Sequence, residues 1–164
     1  MPVTYEKIAS NTLGSGVTSV TFSSVSSAYT DIILVCNITN TTSQTLYARF
    51  NGDTATNYSA TYMYGDGSSA SSSRQTTNDK LLLGAVAAGL SSTNPTVFIS
   101  NIQNYSNTTT NKTVLTRASL ASGEVDAVVG RWASTAAIST ILIYPSGGTL
   151  QTGSTFTLYG IKAA

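Results

Sequence analysis

The residues of this chain that come closest to a catalytic arrangement are two acids, Glu124 and Asp126. Paired carboxylates carry out glycoside hydrolysis, in which one acid protonates the leaving group and the other acts as nucleophile or base. Positions i and i+2 of a strand share one face, so these side chains would lie next to each other. Like charges in that arrangement are more often two solvated side chains, and we predict that this pair is solvated and not catalytic.

Histidine and paired cysteines, on which many other catalytic sites depend, are missing. The chain has no histidine and one cysteine, Cys36. A Ser–His–acid triad and the histidine-based zinc sites are therefore excluded. Cys36 lies in an apolar run, residues 32–38, with no positive charge nearby in sequence to activate its thiol, so we predict a small buried filler. We accordingly predict a protein that is not an enzyme, with no catalytic residue, no metal site and no cofactor.

Two further acids, Asp53 and Asp66, lie in glycine-containing turns of a kind that sometimes binds calcium. A calcium loop needs several oxygen ligands at fixed spacing, and neither residues 51–53 nor residues 65–67 supply them. Glycine and asparagine tolerate the positive φ that tight turns require. We predict that both acids serve turn formation.

Aromatic residues are the other group with a recognisable chemical use. Tyr58, Tyr62 and Tyr64 would share one face of a strand, and Trp132 is the only tryptophan. Such rings anchor protein interfaces and stack on sugars, but tyrosine is also favoured on a half-buried sheet face. All three interpretations stay open on sequence alone. We select Tyr62, Tyr64 and Trp132 as candidate interface residues.

The charge content is low, at 9% of residues with a net charge of +1. The eight basic residues are scattered, which argues against a nucleic-acid-binding protein. No apolar stretch approaches the roughly 20 residues of a membrane helix, and the first six residues lack the features of a signal peptide. We therefore predict synthesis in the cytoplasm and no membrane insertion. Near-neutrality also favours contact between copies of the chain.

Apolar and polar residues alternate with a period of two from end to end, which is typical of β-strands. In the clearest run, Ile32, Leu34, Cys36 and Ile38 would point inward together. Similar runs cover residues 5–9, 17–22, 46–50, 58–64, 96–102, 113–120, 125–132, 138–144 and 155–161. Short alternating strands separated by turns indicate a β-sandwich or barrel. Because no repeat or linker divides the chain, residues 1–164 are predicted to form a single domain.

Two segments give a weaker signal. Residues 80–90 fit either a short helix or a strand followed by a loop, and two glycines weaken the helix, so we predict strand plus loop. The serine-rich residues 68–73 indicate a loop or an exposed edge.

Three groups of motifs carry a family resemblance. The first is Arg49-Phe50-Asn51-Gly52-Asp53 with Asn57-Tyr58-Ser59 and Tyr64-Gly65-Asp66-Gly67. The second is Ile102-Gln103-Asn104-Tyr105 followed by Thr108-Thr109-Thr110-Asn111-Lys112-Thr113. The third is Gly130-Arg131-Trp132 with Thr135-Ala136-Ala137-Ile138, ending in Gly153-Ser154-Thr155-Phe156-Thr157-Leu158-Tyr159-Gly160-Ile161-Lys162. In this order, over nearly the whole chain, they resemble a family of small β-rich virion proteins of tailed bacteriophages, especially those of marine hosts.

The resemblance implies a single jelly-roll-like antiparallel β-sandwich on the exterior of a virion. We expect a non-enzymatic structural protein, first of all a capsid-surface decoration (cement) protein. Its partners would be copies of itself, with a trimer as the first guess, and other virion proteins such as the capsid shell. The alternative is a tail or head fibre module that binds a host-surface glycan or receptor. The resemblance carries no site residues over, and it does not decide between capsid and fibre.

Overall fold

The structure, a computed structural model, describes residues 5–120 and 123–162. In that part of the chain it contains twelve β-strands and no helix, hence none that could cross a membrane. The strands are β1 (Tyr5–Thr12), β2 (Val20–Phe22), β3 (Asp31–Ile38), β4 (Leu46–Phe50), β5 (Tyr58–Gly65), β6 (Ala70–Asn78), β7 (Leu81–Gly84), β8 (Thr96–Gln103), β9 (Lys112–Leu120), β10 (Glu124–Trp132), β11 (Ile141–Pro145) and β12 (Thr155–Ile161). The prediction of an all-β chain is confirmed.

The strands form two antiparallel sheets, an arrangement consistent with a β-sandwich. The large sheet has eight strands in the order β1-β12-β3-β8-β9-β10-β5-β6, and the small sheet has four in the order β2-β11-β4-β7. Inward-facing apolar residues of both sheets meet in one main hydrophobic cluster. The core therefore lies between the sheets.

Eight of the strands form nested pairs, in which the first of the eight pairs with the last, the second with the seventh, and so on inward. β1 pairs with β12, β2 with β11, β3 with β8, and β4 with β7, each pair antiparallel. The pairings of β12 with β3 and of β11 with β4 join them into sheets. The other four strands, β9, β10, β5 and β6, continue the large sheet beyond β8. We call these four strands the extension.

The two-residue period of the strands decides which side chains are buried. Ile32, Leu34, Cys36 and Ile38 in β3 are each at most 1% exposed, as the sequence predicts. In β9 and β10 every second residue is buried along all nine positions. A strand covered on one face alternates in this way. The opposite face of the extension is therefore exposed.

Residues 80–90 form strand β7 followed by a loop, as predicted. All four residues of β7 are buried, because Leu81 belongs to the main cluster while Leu82 packs with Ala60 and Val128 of the extension in a second cluster. Gly130 of β10 gives Leu81 its room, since a Cβ at that position would lie 2.5 Å from the Leu81 Cδ1. β7 thus joins the small sheet to the inner face of the extension.

The serine-rich stretch lies mainly in β6, the exposed edge strand of the large sheet. Of the two predicted outcomes, loop or exposed edge, the structure has the edge. Its hydroxyl side chains and Arg74 lie along a strand that pairs with β5 on one side and has no strand partner on the other. Polar and charged residues on an edge discourage pairing with the edges of other molecules.

Substitutions at two neighbouring valines of β10 test which face of this strand is buried and which is exposed. Val128 is 0% exposed and Val129 is 54% exposed. We expect Val128→Asp to prevent folding, because a buried unpaired carboxylate costs several kcal/mol and a domain of this size is stable by only about 5–15 kcal/mol. Val129→Asp, the same change one residue later, should leave the melting temperature within a few degrees of the parent. Equal soluble yield and equal melting of the two variants would show that the register is wrong.

Candidate interaction surface

Four half-buried tyrosines form a row where the inner face of the extension meets the small sheet. The rings of Tyr62 and Tyr64 stack with centroids 6.4 Å apart, and those of Tyr47 and Tyr144 lie 6.3 Å apart. Tyr62 and Tyr47 both pack against the cluster of Leu82, Ala60 and Val128, which joins the two pairs. We call Tyr64, Tyr62, Tyr47 and Tyr144 the tyrosine row. Two of the candidate interface residues, Tyr62 and Tyr64, thus lie at a partly open surface.

Charged residues border one end of the tyrosine row. Asp79 accepts hydrogen bonds from the Arg49 guanidinium and, at 3.0 Å, from the Lys80 ammonium. These two cations also lie over tyrosine rings, Arg49 at 5.3 Å from the Tyr144 centroid and Lys80 at 5.2 Å from the Tyr47 centroid. The hydrogen bond from Lys80, with the Arg49 charge beside it, lowers the pKa of Asp79. These charges therefore lie directly beside the rings of Tyr47 and Tyr144.

This arrangement is suited to binding. Partly exposed aromatic faces with fixed polar neighbours anchor protein partners and also stack on sugar rings. Sequence analysis did not select Tyr47 and Tyr144. Both alternate with core residues of their strands, as Tyr47 does with Leu46 and Ala48. The period-two pattern therefore predicts that these tyrosines point away from the core, but it predicts nothing more about them. Their pairing across β4 and β11 could not be read from the sequence, because it depends on strand order.

Trp132, the third candidate interface residue, is a core residue. It is 2% exposed, its ring stacks on Tyr58 at 6.3 Å, and it meets Phe50 edge-on at 5.6 Å. Its indole N–H donates to the Asp53 carboxylate at 2.6 Å. Trp132 is buried because β10 ends beneath the small sheet, so its side chain offers no surface to a partner.

The acids Glu124 and Asp126 share a strand face, but the prediction that they are solvated is wrong. They are 3% and 5% exposed and face inward, toward the loop that follows β7. Asp126 accepts a hydrogen bond from the Ala85 N–H at 2.5 Å. Glu124 accepts from the N–H groups of Ala87, at 2.9 Å, and Ala88. Backbone N–H groups of the loop thus take the place of water at three of the four carboxyl oxygens, while Asp126 Oδ1 is buried without a partner.

Burial changes the acidity of this pair. Removal from water raises the pKa of Asp126 to about 7, and the neighbouring Glu124 carboxyl acts in the same direction. The loop adopts unusual backbone angles to reach the carboxyls, since Ala85 has φ of 61° and Gly84 has φ of 142°. A Cβ on Gly84 would lie 2.9 Å from the Asp126 Oδ2. The pair therefore fastens the loop after β7 to the extension.

The remaining predicted roles concern turns and the cysteine. Asp53 accepts from Asn57, Trp132 and the Ala55 N–H, and these bonds lower its pKa. Asp66 accepts from the N–H groups of Ser69 and Ser68, which lower its pKa in the same way. Both acids serve their turns, as predicted. Cys36 is fully buried, which raises the pKa of its thiol and confirms its role as a core filler.

Across residues 5–120 and 123–162, no three acidic or cysteine side chains come together closely enough to hold a metal ion.

The buried carboxyl pair makes a pH dependence measurable. The Asp126 carboxyl loses its proton near 3.8 in the unfolded chain and near 7 in the folded one. Between about pH 4 and pH 7 this carboxyl is protonated to a greater extent in the folded chain than in the unfolded one, so its contribution to the free energy of unfolding falls as pH rises through that range. Asp126→Asn keeps an acceptor for the Ala85 N–H and cannot ionise. We expect it to remove this fall, making the variant more stable than the parent at pH 8, by on the order of 1 kcal/mol or more.

Urea unfolding at pH 4, 6 and 8 measures the effect. Asp66→Asn is the matched control, because it makes the same substitution at an exposed turn carboxyl whose pKa is lowered, outside this pH range. The test is the difference in stability between the parent and Asp126→Asn at each pH. An equal pH dependence of the two would contradict the account of the pair.

Comparison with known proteins adds no relative. No protein-family model matches the chain, no curated protein matches it, and no solved structure matches it. Its functional interpretation therefore depends on its own residues and geometry.

Proposed function

We propose that this chain is a non-enzymatic structural protein of a bacteriophage particle, and specifically a decoration (cement) protein on the capsid surface. The observation that carries the proposal is the nested pairing of eight strands. A jelly roll is an eight-stranded double sheet built from two Greek keys, and it is a recurrent fold of viral capsid proteins and lectins.

The strand order supports the jelly-roll interpretation in detail. A long hairpin of eight strands that rolls up pairs its first strand with its last, its second with its seventh, its third with its sixth, and its fourth with its fifth. With the extension set aside, those pairs are β1–β12, β2–β11, β3–β8 and β4–β7. The two resulting sheets are β1-β12-β3-β8 and β2-β11-β4-β7. The extension consists of two insertions, β5–β6 and β9–β10, added to the edge of the first sheet.

The sequence supports the particle role independently. Its motifs resemble those of phage virion proteins, and its composition is low in charge and in reactive groups. The acids that might have formed a catalytic pair are instead bound to backbone amides beneath a loop. The protein would be made in the host cytoplasm and become part of the virion, and we propose for it no nucleic-acid partner and no insertion into a membrane.

The tyrosine row supports self-association. Tyrosine is enriched at protein interfaces because one rigid side chain offers a large apolar area and a polar tip. Copies of one chain usually form closed symmetric oligomers. We propose a trimer that uses Tyr62 and Tyr64 in its contacts, together with Tyr47 and Tyr144. The capsid shell is the second partner.

A second candidate function is a tail or head fibre module that binds a host-surface glycan or receptor. The observation that favours it is the same row, because tyrosine rings beside Arg49, Asp79 and Lys80 can stack on a sugar and hydrogen-bond its hydroxyls. Lectins are also among the proteins that use jelly rolls. Binding of the purified chain to a glycan array through Tyr47 or Tyr144 would favour this alternative over decoration.

Self-association can be measured on the purified chain. We expect sedimentation velocity to give the mass of a trimer, and Tyr64→Ser to weaken association at least about tenfold, since loss of an interface tyrosine commonly costs more than 1 kcal/mol. Tyr5→Ser is the matched control, because Tyr5 is 57% exposed on β1 and outside the row. A chain that stays monomeric at the highest concentration reached, or a Tyr64→Ser variant that remains a trimer, would contradict this use of the row.

The particle role itself is tested on purified virions of the phage that encodes the chain. Quantitative mass spectrometry should find the protein in many copies per particle, in a fixed ratio to the shell protein. Its absence from purified virions would rule out both the decoration function and the fibre alternative.

A further inference from the structure

The exposed apolar side chains of this protein are concentrated on one face. Among the described residues, six large hydrophobic side chains are more than a third exposed. Five of them, all but Tyr5, lie on the outward face of β8 and the extension: Met63, Val97, Leu115, Val125 and Val129. Single exposed hydrophobic residues need no explanation, but a cluster of them marks an interaction site.

The strand register brings these side chains together. Val129 of β10 lies opposite Leu115 of β9. Val125 and Val97 flank Ser119 from the two neighbouring strands. Met63 of β5 lies opposite Ala127 of β10. The apolar residues therefore form one continuous surface across four strands, which we call the outer patch.

Three arginines lie on the same surface without acidic partners. Arg117 lies between Ile99 and Ala127, and Arg131 lies between Thr113 and Ser59. Arg74 of β6 extends the series beside Thr61. The ion pairs found in the described part of the chain involve Arg49, Lys80 and Lys162 and none of these three arginines.

The outward positions of β8 and the extension contain no acid at all. The two acids of these strands, Glu124 and Asp126, face inward and are buried beneath the loop after β7. The sequence thus separates acidic from basic residues across one sheet, with the acids on the covered face and the arginines on the open one. A face that is apolar and cationic is complementary to a surface of the opposite charge.

We propose that the outer patch is the docking surface for a protein of a different sequence, whose complementary surface is apolar and carries carboxylates for Arg117 and Arg131. In a face-to-face contact between two copies of this chain, arginines would meet arginines, and juxtaposed like charges oppose association. Nucleic acid is disfavoured as an occupant, because single-strand binding sheets stack bases on aromatic side chains. The outward positions of β8 and the extension hold none.

The size of the outer patch fits a contact that is repeated in several copies. Four strands spaced about 4.8 Å apart and about 20 Å long cover about 400 Å². A standard interface buries about 800 Å² on each partner, so one copy would bind weakly. An oligomer that presents several outer patches would bind much more tightly through avidity.

Shallow grooves on the patch offer positions for partner side chains. A groove of about 310 Å³ lies between Met63 and Val125, and another of about 270 Å³ lies between Val125, Ile99 and Arg117. A third, of about 410 Å³, is lined by Val129 and by the side chains of Arg74 and Arg131. Each arginine of the patch therefore borders a groove with an apolar wall.

The inference deepens the proposed decoration function and rests on it, with the shell protein as the partner. The probe is capsid particles of the encoding phage made from a genome in which this gene is deleted. Purified chain is added, particles are pelleted, and the bound amount is measured against concentration at 50 and 300 mM salt. The variants are Arg117→Glu, Arg131→Glu and Val129→Thr. Lys7→Glu is the matched control, because it makes the same charge reversal on β1, outside the extension.

We expect each arginine variant to bind about tenfold or more weakly than the parent, and Lys7→Glu to bind like the parent. Higher salt should weaken the parent more than the arginine variants. Val129→Thr, which keeps the β-branched shape, should weaken binding at both salt concentrations. Melting temperatures close to the parent's would show that the variants are folded.

Three outcomes would overturn the inference while leaving the decoration function intact. These are parental binding by both arginine variants, equal weakening by Lys7→Glu, and dissociation of the free oligomer by Arg117→Glu, which would show that the patch contacts a second copy. Competition by a single-stranded DNA oligonucleotide would assign the patch to nucleic acid instead. Failure of the parent chain to bind the particles at all would overturn the decoration function, and the inference with it.

Discussion

The position of the extension depends on its attachment to β7, and both proposed surfaces depend on the extension. Leu81 fits against Gly130, while Leu82 packs in a second cluster with Val128. The loop after β7 donates backbone hydrogen bonds to three of the four oxygens of the buried Glu124 and Asp126 carboxyls. Apolar packing and the hydrogen bonds to two buried acids thus both attach the extension to β7 and the loop that follows it. Without this attachment, β5, β9 and β10 would lose the cover that β7 gives to their inner face.

The pleat of β5 and β10 gives the extension two different chemistries. Tyr62 and Tyr64 lie on the inner face of β5, at the margin where the small sheet stops covering it. Met63, between them in sequence, lies on the outer face with the arginine-bearing patch. A single chain can therefore present one surface to its own copies and the opposite surface to another protein. A decoration protein that forms oligomers on a shell needs two surfaces of this kind.

Local pattern was sufficient to predict much of the fold. The alternation at residues 32–38 predicted which side chains of β3 are buried, and two glycines favoured strand plus loop at residues 80–90. Properties that depend on strand order were not predictable. Trp132 is buried because the small sheet covers the end of β10, and Glu124 and Asp126 are buried because a loop distant in sequence crosses them. Nothing in an i, i+2 spacing distinguishes the inner face of a sheet from the outer.

The central claim is the proposal that this chain is a surface decoration of a bacteriophage virion. Its most direct test is a reconstruction of that particle at a resolution that separates β-strands. The account predicts symmetric oligomers on the outside of the shell. The outward face of β8 and the extension should contact the shell, with Arg117 and Arg131 beside shell carboxylates, and the tyrosine rows should lie between copies. A chain absent from the capsid surface, or one located at the tip of a fibre with that face in solvent, would contradict it.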